Sequence, residues 1–352
     1  MNQENVKGAQ MHNPAHDLLG LSLEGGWKVV EPIERYQGQT GGAFSVGYVV
    51  VNEQGKRAYL KAMDYSRAFQ SADPARALEP LVNAFNFERD LLMECRHMSR
   101  VVTALTDGVI RLDGLPVQYL ILELADSDAR RQMFLQQFDD AWSLRALHQV
   151  AVGLDQLHKK MIAHQDLKPS NVLIFEQKQS KVGDLGRSIK DGRLSPHEGL
   201  NFPGALAYSP PEYLYRNRPE DWMVRRFGSD IYLLGSLLHF FYTGVALTPA
   251  LGNQLDPNHK WDKWNGTFAE ILPFLYAAFT NVREEFLKNC HSEDCEELDR
   301  LLSYLCDPDP YKRGHPGNKA INVPYGLDRF VSRFDFLATR AEMRLSIAAK
   351  KK

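Results

Sequence analysis

The sequence predicts an α+β protein in which a small antiparallel unit of five strands and one main helix precedes a larger, mainly helical unit. Between residues 27 and 125, short runs of β-branched and aromatic residues alternate with glycine-containing turns, which is the pattern of antiparallel strands. After Asp126 the apolar residues take on helical spacing. The chain has 352 residues, 44% of them hydrophobic and 24% charged, so it can bury a sizeable core and is not expected to be disordered.

The N-terminal part divides into a leader and the small unit. Residues 1–26 are polar and are predicted to form a loose leader. Strands are then predicted, in order, over WKVVEPIERY, AFSVGYVVVN, RAYLKAMD, RVVTALTDG and VQYLILELA. Between the third and fourth strands, the run NAFNFERDLLMEC places Phe87, Leu91 and Leu92 on one face of a helix. The small unit, residues 27–125, is predicted to end with the fifth strand.

The larger unit is predicted over residues 126–318. Helical runs begin with RRQMFLQQF and LRALHQVAVGLDQLHKK. Its longest apolar run starts at Ile231 and is shorter than the ~20 residues that a membrane span requires, so it is interpreted as a buried helix. Residues 319–352 are predicted to form a helical extension with a basic tail. That tail is either a solvated helix end or a docking element for a partner.

Charge and cysteine content exclude several classes of protein. A net charge of -2 gives no reason to expect nucleic acid or a membrane surface as the main partner. The first twenty residues lack the continuous apolar core of a signal peptide. Four cysteines are too few and too scattered for a disulfide framework, and we expect free thiols rather than a metal site in the CHSEDC stretch. The sequence therefore predicts a cytoplasmic, reduced protein. The cysteines are Cys95, Cys290, Cys295 and Cys306.

One short polar loop carries the residue types that phosphoryl transfer requires. In AHQDLKPSNVLI, Asp166 is followed two residues later by Lys168 and five residues later by Asn171, and Asp184 comes thirteen residues after that. One carboxylate can receive or orient the proton of the acceptor hydroxyl, and a lysine can neutralise charge on the γ-phosphate. An amide and a second carboxylate can hold the magnesium ions that bridge the phosphates.

These motifs resemble the catalytic and metal-binding loops of the eukaryotic-like protein kinase family, and the resemblance covers about residues 27–318. It implies the two-lobed protein kinase fold, with the small unit as N-lobe and the larger unit as C-lobe. It assigns catalysis to Asp166 and Lys168 and metal binding to Asn171 and Asp184. It further implies ATP and Mg²⁺ as cofactors and a protein substrate phosphorylated on serine or threonine, because Lys168 is what serine/threonine members carry. The chain looks like a stand-alone bacterial or phage-type member.

A glycine cluster between the first two strands resembles the nucleotide loop of the family, although it does not fit the usual G-x-G-x-x-G register. Such a turn lets backbone N–H groups approach phosphate oxygens. Lys61 matches the strand lysine that reaches the α- and β-phosphates, and Glu88 is preferred over Glu79 as its partner. Tyr59 stands where the family usually has a small residue against adenine, and ILELA resembles the hinge. The residues that the resemblance assigns to nucleotide binding are Gly38, Gly41, Gly42, Val46, Lys61, Glu88, Glu123 and Ala125.

Gln165 departs from the family, which usually carries an arginine before the catalytic aspartate. That arginine pairs with a phosphate on the activation segment, and a neutral amide cannot form the same charge-assisted pair. The segment from Asp184 to Glu212 still contains hydroxyls that could be phosphorylated. They belong to Ser188, Ser195, Tyr208 and Ser209. We expect that phosphorylation there does not activate the protein, and that control comes from a regulatory partner or from the leader.

Residues further along the chain favour a protein substrate over a small molecule. Glu212 is expected to pair with Arg313 and fix the end of the activation segment, and Asp230 is expected to cap the backbone of the catalytic loop. Small-molecule phosphotransferases share the Asp…Asn…Asp core without this downstream region, and they remain one alternative. The other is a pseudokinase scaffold that binds partners without turnover. It rests on three departures from the family, namely Tyr59, Gln165 and Ala205.

Overall fold

The computed structural model describes residues 13–34, 45–135 and 139–350. The chain divides into two compact units. Among the described residues, the small unit contains those up to Arg96 together with Thr103–Leu124, and the large unit contains His97–Val102 and those from Ala125 onward. The strand-rich and helix-rich parts of the chain therefore lie mainly in different units, but residues 97–102, which the sequence assigned to the small unit, belong to the large one.

The small unit is built on an antiparallel sheet, which has six strands within the described residues, in the order β1-β2-β3-β4-β6-β5. Its strands are β1 (Ser22–Leu23), β2 (Trp27–Pro32), β3 (Ser45–Val51), β4 (Arg57–Met63), β5 (Ala104–Leu112) and β6 (Leu115–Glu123). The five predicted strands are confirmed, and β1 is an addition at the edge. Gly25 and Gly26 both have a φ of +75°, which lets the chain turn sharply and pair β1 with β2.

The leader predicted over residues 1–26 is part of the small unit from residue 13 onward. Ala15 and Leu18 are fully buried, and the Tyr48 hydroxyl donates to the Ala15 carbonyl over 2.8 Å. The Asn13 amide donates to Asp64 Oδ1 over 2.6 Å. The sequence indicated only a short amphipathic piece around Leu18–Leu23 within a loose leader, because contacts with residues as distant as Tyr48 and Asp64 leave no local period.

Two helices of the small unit lie between β4 and β5, namely α1 (Ser66–Phe69) and α2 (Pro74–Cys95). The Asp73 carboxylate caps α2 by accepting from Arg76 N–H, and Pro74 occupies a first-turn position where its missing N–H costs little. The helix starts earlier than predicted and continues through Pro80. Its inner face buries Phe85, Phe87, Glu88, Leu91 and Leu92.

The large unit is mainly helical. Its helices are α3 (Ala129–Leu135), α4 (Asp140–His158), α5 (Pro211–Leu214), α6 (Trp222–Thr243), α7 (Leu247–Gln254), α8 (Phe268–Asn289), α9 (Cys295–Leu305), α10 (Pro316–Lys319) and α11 (Asp328–Lys350). Helix α6 is buried along most of its length, as expected for a helix that is apolar all round.

Membrane-span criteria are not met by any single helix among the described residues. Helices α6 and α7 meet them only when they are counted together across the 79° bend between them.

Short strands shape the loops of the large unit that carry the polar motifs. They are β7 (Ser127–Asp128), β8 (Ile162–Ala163), β9 (Val172–Phe175), β10 (Gln179–Val182) and β11 (Ile189–Lys190). Strands β9 and β10 pair in antiparallel fashion, and β8 pairs with β11. Residues 164–171 therefore lie between β8 and β9, and residues 183–188 lie between β10 and β11, so the two loops start and end at paired strands.

The C-terminal extension packs against the rest of the large unit through α11 and α4. Phe330, Phe334 and Leu337 of α11 are fully buried. The Arg145 guanidinium on α4 donates to Asp335 Oδ1 over 2.6 Å and to both carboxylate oxygens of Glu342 over 2.8 Å. These hydrogen bonds raise the pKa of Arg145. Much of the predicted extension is therefore a packed element.

The prediction of free thiols is wrong for one pair of cysteines. Cys290 and Cys295 form a disulfide with a Cα–Cα distance of 5.9 Å. The turn between α8 and α9 brings them within the range that a disulfide requires, although the sequence shows only a five-residue separation. Cys95 and Cys306 are buried thiols. In the part of the chain that the structure describes, no group of three His, Cys, Asp or Glu side chains is suited to a metal ion.

Candidate active site

In the small unit, Lys61 and Glu88 form an ion pair. Lys61 is in the middle of β4, between Gly47 on β3 and Leu120 on β6. Its Nζ lies 2.6 Å and 2.8 Å from the two carboxylate oxygens of Glu88, which is buried on the inner face of α2. Glu79, the alternative that the sequence left open, is exposed at the start of the same helix. The pair fixes the direction of the lysine side chain.

Tyr59 is accommodated by a glycine on the neighbouring strand. A Cβ atom on Gly47 would lie 2.9 Å from the Tyr59 hydroxyl oxygen. The ring of Tyr59 therefore occupies space that a side chain on β3 would otherwise fill. The departure from the family at Tyr59 and the glycine at position 47 are thus matched to one another.

The other predicted nucleotide residues are distributed as follows. Gly38, Gly41 and Gly42 lie outside the described residues. Val46 is half-buried on β3. At the end of β6, Glu123 accepts from Thr103 N–H at Oε1 over 2.7 Å, and its own N–H donates to the Thr103 carbonyl. Ala125 is half-buried and is the first residue of this part of the large unit.

In the large unit, Asp166, Lys168 and Asn171 are brought together as the sequence spacing suggested. Asp166 Oδ2 accepts from Lys168 Nζ over 2.6 Å and from Asn171 Nδ2 over 3.3 Å. Asp166 Oδ1 accepts from the backbone N–H of Ala205 over 2.8 Å. All three side chains are buried. The carboxylate is thus held from both oxygens, and its orientation is fixed before any substrate arrives.

The backbone beneath this carboxylate is held by Asp230 on α6. Asp230 accepts from His164 N–H over 2.7 Å, from Gln165 N–H over 2.8 Å and from His158 Nε2 over 2.9 Å. Burial alone would raise the pKa of Asp230, but the hydrogen bond and charge of His158 and the backbone donors hold it below its usual value. The predicted cap is confirmed. It supports Gln165 in a left-handed conformation, with φ of +65°.

Asn171 and Asp184 lie on adjacent backbone segments. Gly183 N–H donates to the Asn171 carbonyl over 2.9 Å, and the Gly183 carbonyl contacts His164 Nε2 over 3.0 Å. Asp184 follows with a φ of +59°, and Leu185 after it is fully buried, as expected for the apolar residue of this motif.

These residues fit a magnesium ion. Asn171 donates through its amide nitrogen to the Asp166 carbonyl over 2.8 Å, so its side-chain oxygen is the atom that would bind a metal ion. Mg²⁺ prefers oxygen ligands and is commonly held by one or two protein groups together with substrate phosphates. An amide oxygen and the Asp184 carboxylate meet that requirement.

The activation segment is fixed at its end by a buried ion pair. Arg313 donates to the two carboxylate oxygens of Glu212 over 2.7 Å and 2.6 Å, and both side chains are fully buried. Burial alone would lower the pKa of Arg313, but the charge and hydrogen bonds of Glu212 raise it above its usual value. The pairing predicted from the sequence is confirmed.

Sequence reasoning missed Arg226 and the role of Gly204. Arg226 is fully buried on α6, four residues before Asp230 and therefore on the same helix face, a spacing that could have identified it. A Cβ atom on Gly204 would lie 2.2 Å from the Gln165 carbonyl oxygen. This close backbone approach brings the neighbouring Ala205 N–H to the carboxylate.

Comparison with known proteins agrees with this arrangement. A family model described as the protein kinase domain matches residues 37–325. An Aurora kinase of Debaryomyces hansenii is 37% identical over 166 residues, which are 47% of this chain and 38% of that protein. Aurora/IPL1-related protein kinase 2 of Caenorhabditis briggsae is 30% identical over 36% of this chain and 39% of its own length. Serine/threonine-protein kinase SBK1 of Danio rerio is 33% identical over 28% of this chain. The matched segments span less than two fifths of these relatives.

Proposed function

The chain belongs to the protein kinase family, and on that premise we propose that it transfers the γ-phosphate of ATP to serine or threonine hydroxyls of a protein. The observation that carries the proposal is the Asp166 carboxylate, held at both oxygens and contacted by Lys168 and Asn171. The relatives include a serine/threonine-protein kinase, SBK1. The resemblance to the family also implies serine/threonine specificity through Lys168.

Asp166 is the proposed base and Lys168 the proposed charge-neutralising group. As the acceptor hydroxyl oxygen bonds to the γ-phosphorus, the bond from phosphorus to the bridging oxygen breaks, and ADP leaves with that electron pair. The hydroxyl proton passes to Asp166. Lys168 donates to the carboxylate over 2.6 Å, and this contact supports its proposed role of neutralising negative charge on the transferred phosphoryl group.

Asn171 and Asp184 are the proposed ligands of magnesium. Magnesium, which the family usually requires, would neutralise charge on the phosphates when bound. The chain contributes an amide oriented by the Asp166 carbonyl and a carboxylate placed by the turn at Gly183.

Lys61 is the proposed ligand of the α- and β-phosphates, with Glu88 holding its ammonium in place. Gly38, Gly41, Gly42 and Val46 are proposed to contact the nucleotide from the glycine loop, and Glu123 and Ala125 from the hinge.

A protein is the proposed substrate because the activation segment ends in the Glu212–Arg313 pair, which fixes an exposed surface next to the base. Leu206 is 70% exposed and directly follows Ala205, whose N–H contacts Asp166. An apolar side chain in this place suits contact with a peptide chain more than with a sugar or an antibiotic. A regulatory partner is also proposed, since the structure gives Gln165 no charge with which to bind a phosphate.

The test is phosphoryl transfer from labelled Mg·ATP to a generic basic protein and to free aminoglycosides and sugars. The wild type is expected to label the protein on serine or threonine, and Asp166→Asn is expected to lose ~10²–10⁴-fold, the usual contribution of a general base. Asp262→Asn, which makes the same change at an exposed site, is the matched control. Labelling of the small molecules alone would favour a phosphotransferase, and nucleotide binding without any labelling would favour a pseudokinase.

A further inference from the structure

The serines of the activation segment are not accessible to another kinase. Between Asp184 and Glu212 the sequence contains three serines and no threonine. Ser188 and Ser209 are fully buried, and Ser195 is 4% exposed. The Ser188 hydroxyl faces the His164 carbonyl, and the Ser195 hydroxyl accepts from His197 N–H over 3.2 Å. A phosphate on any of these serines would require the segment to unfold locally first.

The same segment carries a permanent anion at Glu198. Its Oε1 accepts from Arg226 Nη2 over 3.0 Å and lies 3.6 Å from Arg225 Nη2. Its backbone carbonyl accepts from Arg218 Nη2 over 2.9 Å. The carboxylate is therefore held against two arginines of α6, one of which is fully buried. This is the arrangement that a phosphate group creates when it orders a loop through arginine.

Arg226 connects this carboxylate to the catalytic loop. Its Nη1 donates to Gln165 Oε1 over 3.1 Å, and its backbone carbonyl accepts from Gln165 Nε2 over 2.9 Å. Gln165 Nε2 also donates to Asp230 Oδ1 over 3.1 Å. Gln165 thus uses both ends of its amide, and it directly precedes Asp166. A continuous series of hydrogen bonds leads from Glu198 to the residue beside the base.

The segment contacts the catalytic loop a second time, a few residues after Glu198. Gly204 approaches the Gln165 carbonyl so closely that a Cβ atom would lie 2.2 Å from it, and Ala205 N–H donates to Asp166. The position of Ala205 therefore depends on how the preceding residues are held. Glu198 is a charged anchor of those residues, because its carboxylate contacts Arg225 and Arg226.

We propose that Glu198 and Arg226 are positioning residues that hold the activation segment on the catalytic loop without phosphorylation. Glu198 supplies the anion and Arg226 the cation, and Gln165 transmits their position to Asp166. The proposal rests on the proposed kinase function, because its effect is read at Asp166. It explains why a neutral residue can stand at position 165. Arg226 on α6 supplies the positive charge that the family usually has there, and Glu198 supplies the negative charge in place of a phosphate.

Removal of the anion should leave the cation poorly compensated. Burial lowers the pKa of Arg226, and Glu198 acts in the opposite direction. A buried guanidinium that loses its acidic partner is unfavourable, since its desolvation is no longer offset. Glu198→Gln is therefore expected to release the segment around residue 198, whereas Glu198→Asp retains the charge.

The experiment compares Glu198→Gln, Glu198→Asp and Glu220→Gln in the full chain, each treated with phosphatase and checked by intact mass. Glu220 is an exposed carboxylate close in sequence whose described hydrogen bond uses only its backbone carbonyl. For Glu198→Gln we expect kcat to fall at least tenfold with KM for ATP changed less than twofold, and amide hydrogen exchange in residues 188–205 to become faster. Glu198→Asp should recover most of the loss, and Glu220→Gln should match the wild type.

Two outcomes would overturn the proposal. One is a Glu198→Gln variant within twofold of the wild-type kcat, and the other is a wild type that loses tenfold or more on phosphatase treatment. If Glu198→Gln does not fold, the double variant E198Q/R226Q removes both charges together, and wild-type kcat in that protein would equally contradict the proposal.

If the wild type itself phosphorylates no protein, the proposed function fails. Faster exchange in Glu198→Gln would then still show that Glu198 holds the activation segment in place, and unchanged exchange would refute it.

Discussion

At the scale of residues, a single backbone contact helps to orient Asp166, the proposed base. Asp166 Oδ1 accepts from Ala205 N–H over 2.8 Å, and Gly204 makes this possible because it has no side chain to collide with the Gln165 carbonyl. The family usually has a threonine hydroxyl at position 205. Here the backbone N–H of Ala205 contacts the carboxylate, so the departure at this position does not leave Asp166 unsupported.

Gly204→Ala is expected to reduce phosphoryl transfer more than stability. The added Cβ atom would lie 2.2 Å from a backbone oxygen that cannot move aside, so the segment must shift and the Ala205 contact to Asp166 is lost. We expect kcat to fall about 10-fold to 100-fold, less than the ~10²–10⁴-fold that loss of a general base itself costs, because Asp166 stays in place and only its orientation is relaxed. Gly199→Ala in the same segment is the control, because its Cβ atom meets nothing within 4 Å. Equal activity in the two variants would show that the contact is dispensable.

Asp184→Asn tests the proposed magnesium site. A ligand at ~100 times its Kd that binds only the folded protein adds ~2.7 kcal/mol to its stability. The wild type is therefore expected to melt at a higher temperature with Mg·ATP than without it. Asp184→Asn should lose most of this shift while its melting temperature without ligand stays close to that of the wild type. A full shift in the variant, or a shift that persists in EDTA, would contradict the assignment of Asp184.

At the scale of elements, the contact between α4 and α11 contains both partly exposed ion pairs and buried apolar side chains, and these contribute unequally to stability. Arg145 forms hydrogen bonds to Asp335 and Glu342 with partly exposed side chains, and such pairs contribute ~0–1 kcal/mol after solvent screening. Phe334 on α11 is fully buried. The apolar face therefore holds the helix, and the ion pairs set its register on α4.

Phe334→Ala is accordingly expected to destabilise the large unit by ~3–5 kcal/mol, the usual cost of truncating a buried phenylalanine. Arg145→Gln should cost less than about 1 kcal/mol. Phe336→Ala is the matched control, because Phe336 lies two residues further along the same helix and is 50% exposed. The measurement is urea unfolding followed by far-ultraviolet circular dichroism. Similar losses for both phenylalanines would show that α11 is not packed as described.

The sequence predicted strands and loops well where a local pattern determines them. It predicted poorly the features that depend on contacts between distant residues. Alternating apolar residues identified the strands around Lys61, and the motif spacing identified the loop around Asp166. The packing of residues 13–18 and the partnership of Arg226 with Glu198 depend on residues far apart in sequence, which no local period encodes. Tyr59 appeared unfavourable in isolation, and only the sheet register shows that Gly47 makes room for it.

For the whole molecule, the disulfide between Cys290 and Cys295 is the clearest departure from expectation. The sequence contains too few cysteines for a framework of several disulfides. The single disulfide found here is local, because it closes a turn of only a few residues between α8 and α9. Chain-entropy reasoning for a loop this short gives about 2 kcal/mol of stabilisation. It is thus a local reinforcement of a molecule whose core already holds it together.

Thiol counting tests the pair directly. Protein denatured without reductant is expected to take up two equivalents of alkylating reagent, at Cys95 and Cys306, and four equivalents after reduction. Cys290→Ser/Cys295→Ser should give two equivalents under both conditions. Reductant should lower the melting temperature of the wild type by a few degrees and leave the double variant unchanged. Four equivalents without reductant would show that the thiols are not paired.

The left-handed backbone at Gln165 and Asp184 has a consequence for how this chain can evolve. Non-glycine residues in that region each cost ~1–3 kcal/mol; here Gln165 directly precedes the proposed base, and Asp184 is itself a proposed metal ligand. Glycine would relieve this backbone strain at both positions. Gln165→Gly would release the strain but would also remove the amide that joins Arg226 to the loop, and Asp184→Gly would remove a carboxylate. In a screen for stability, glycine should therefore recur at position 184, with a higher melting temperature and lower turnover, whereas at position 165 the lost hydrogen bonds to the buried Arg226 and Asp230 offset the relieved strain.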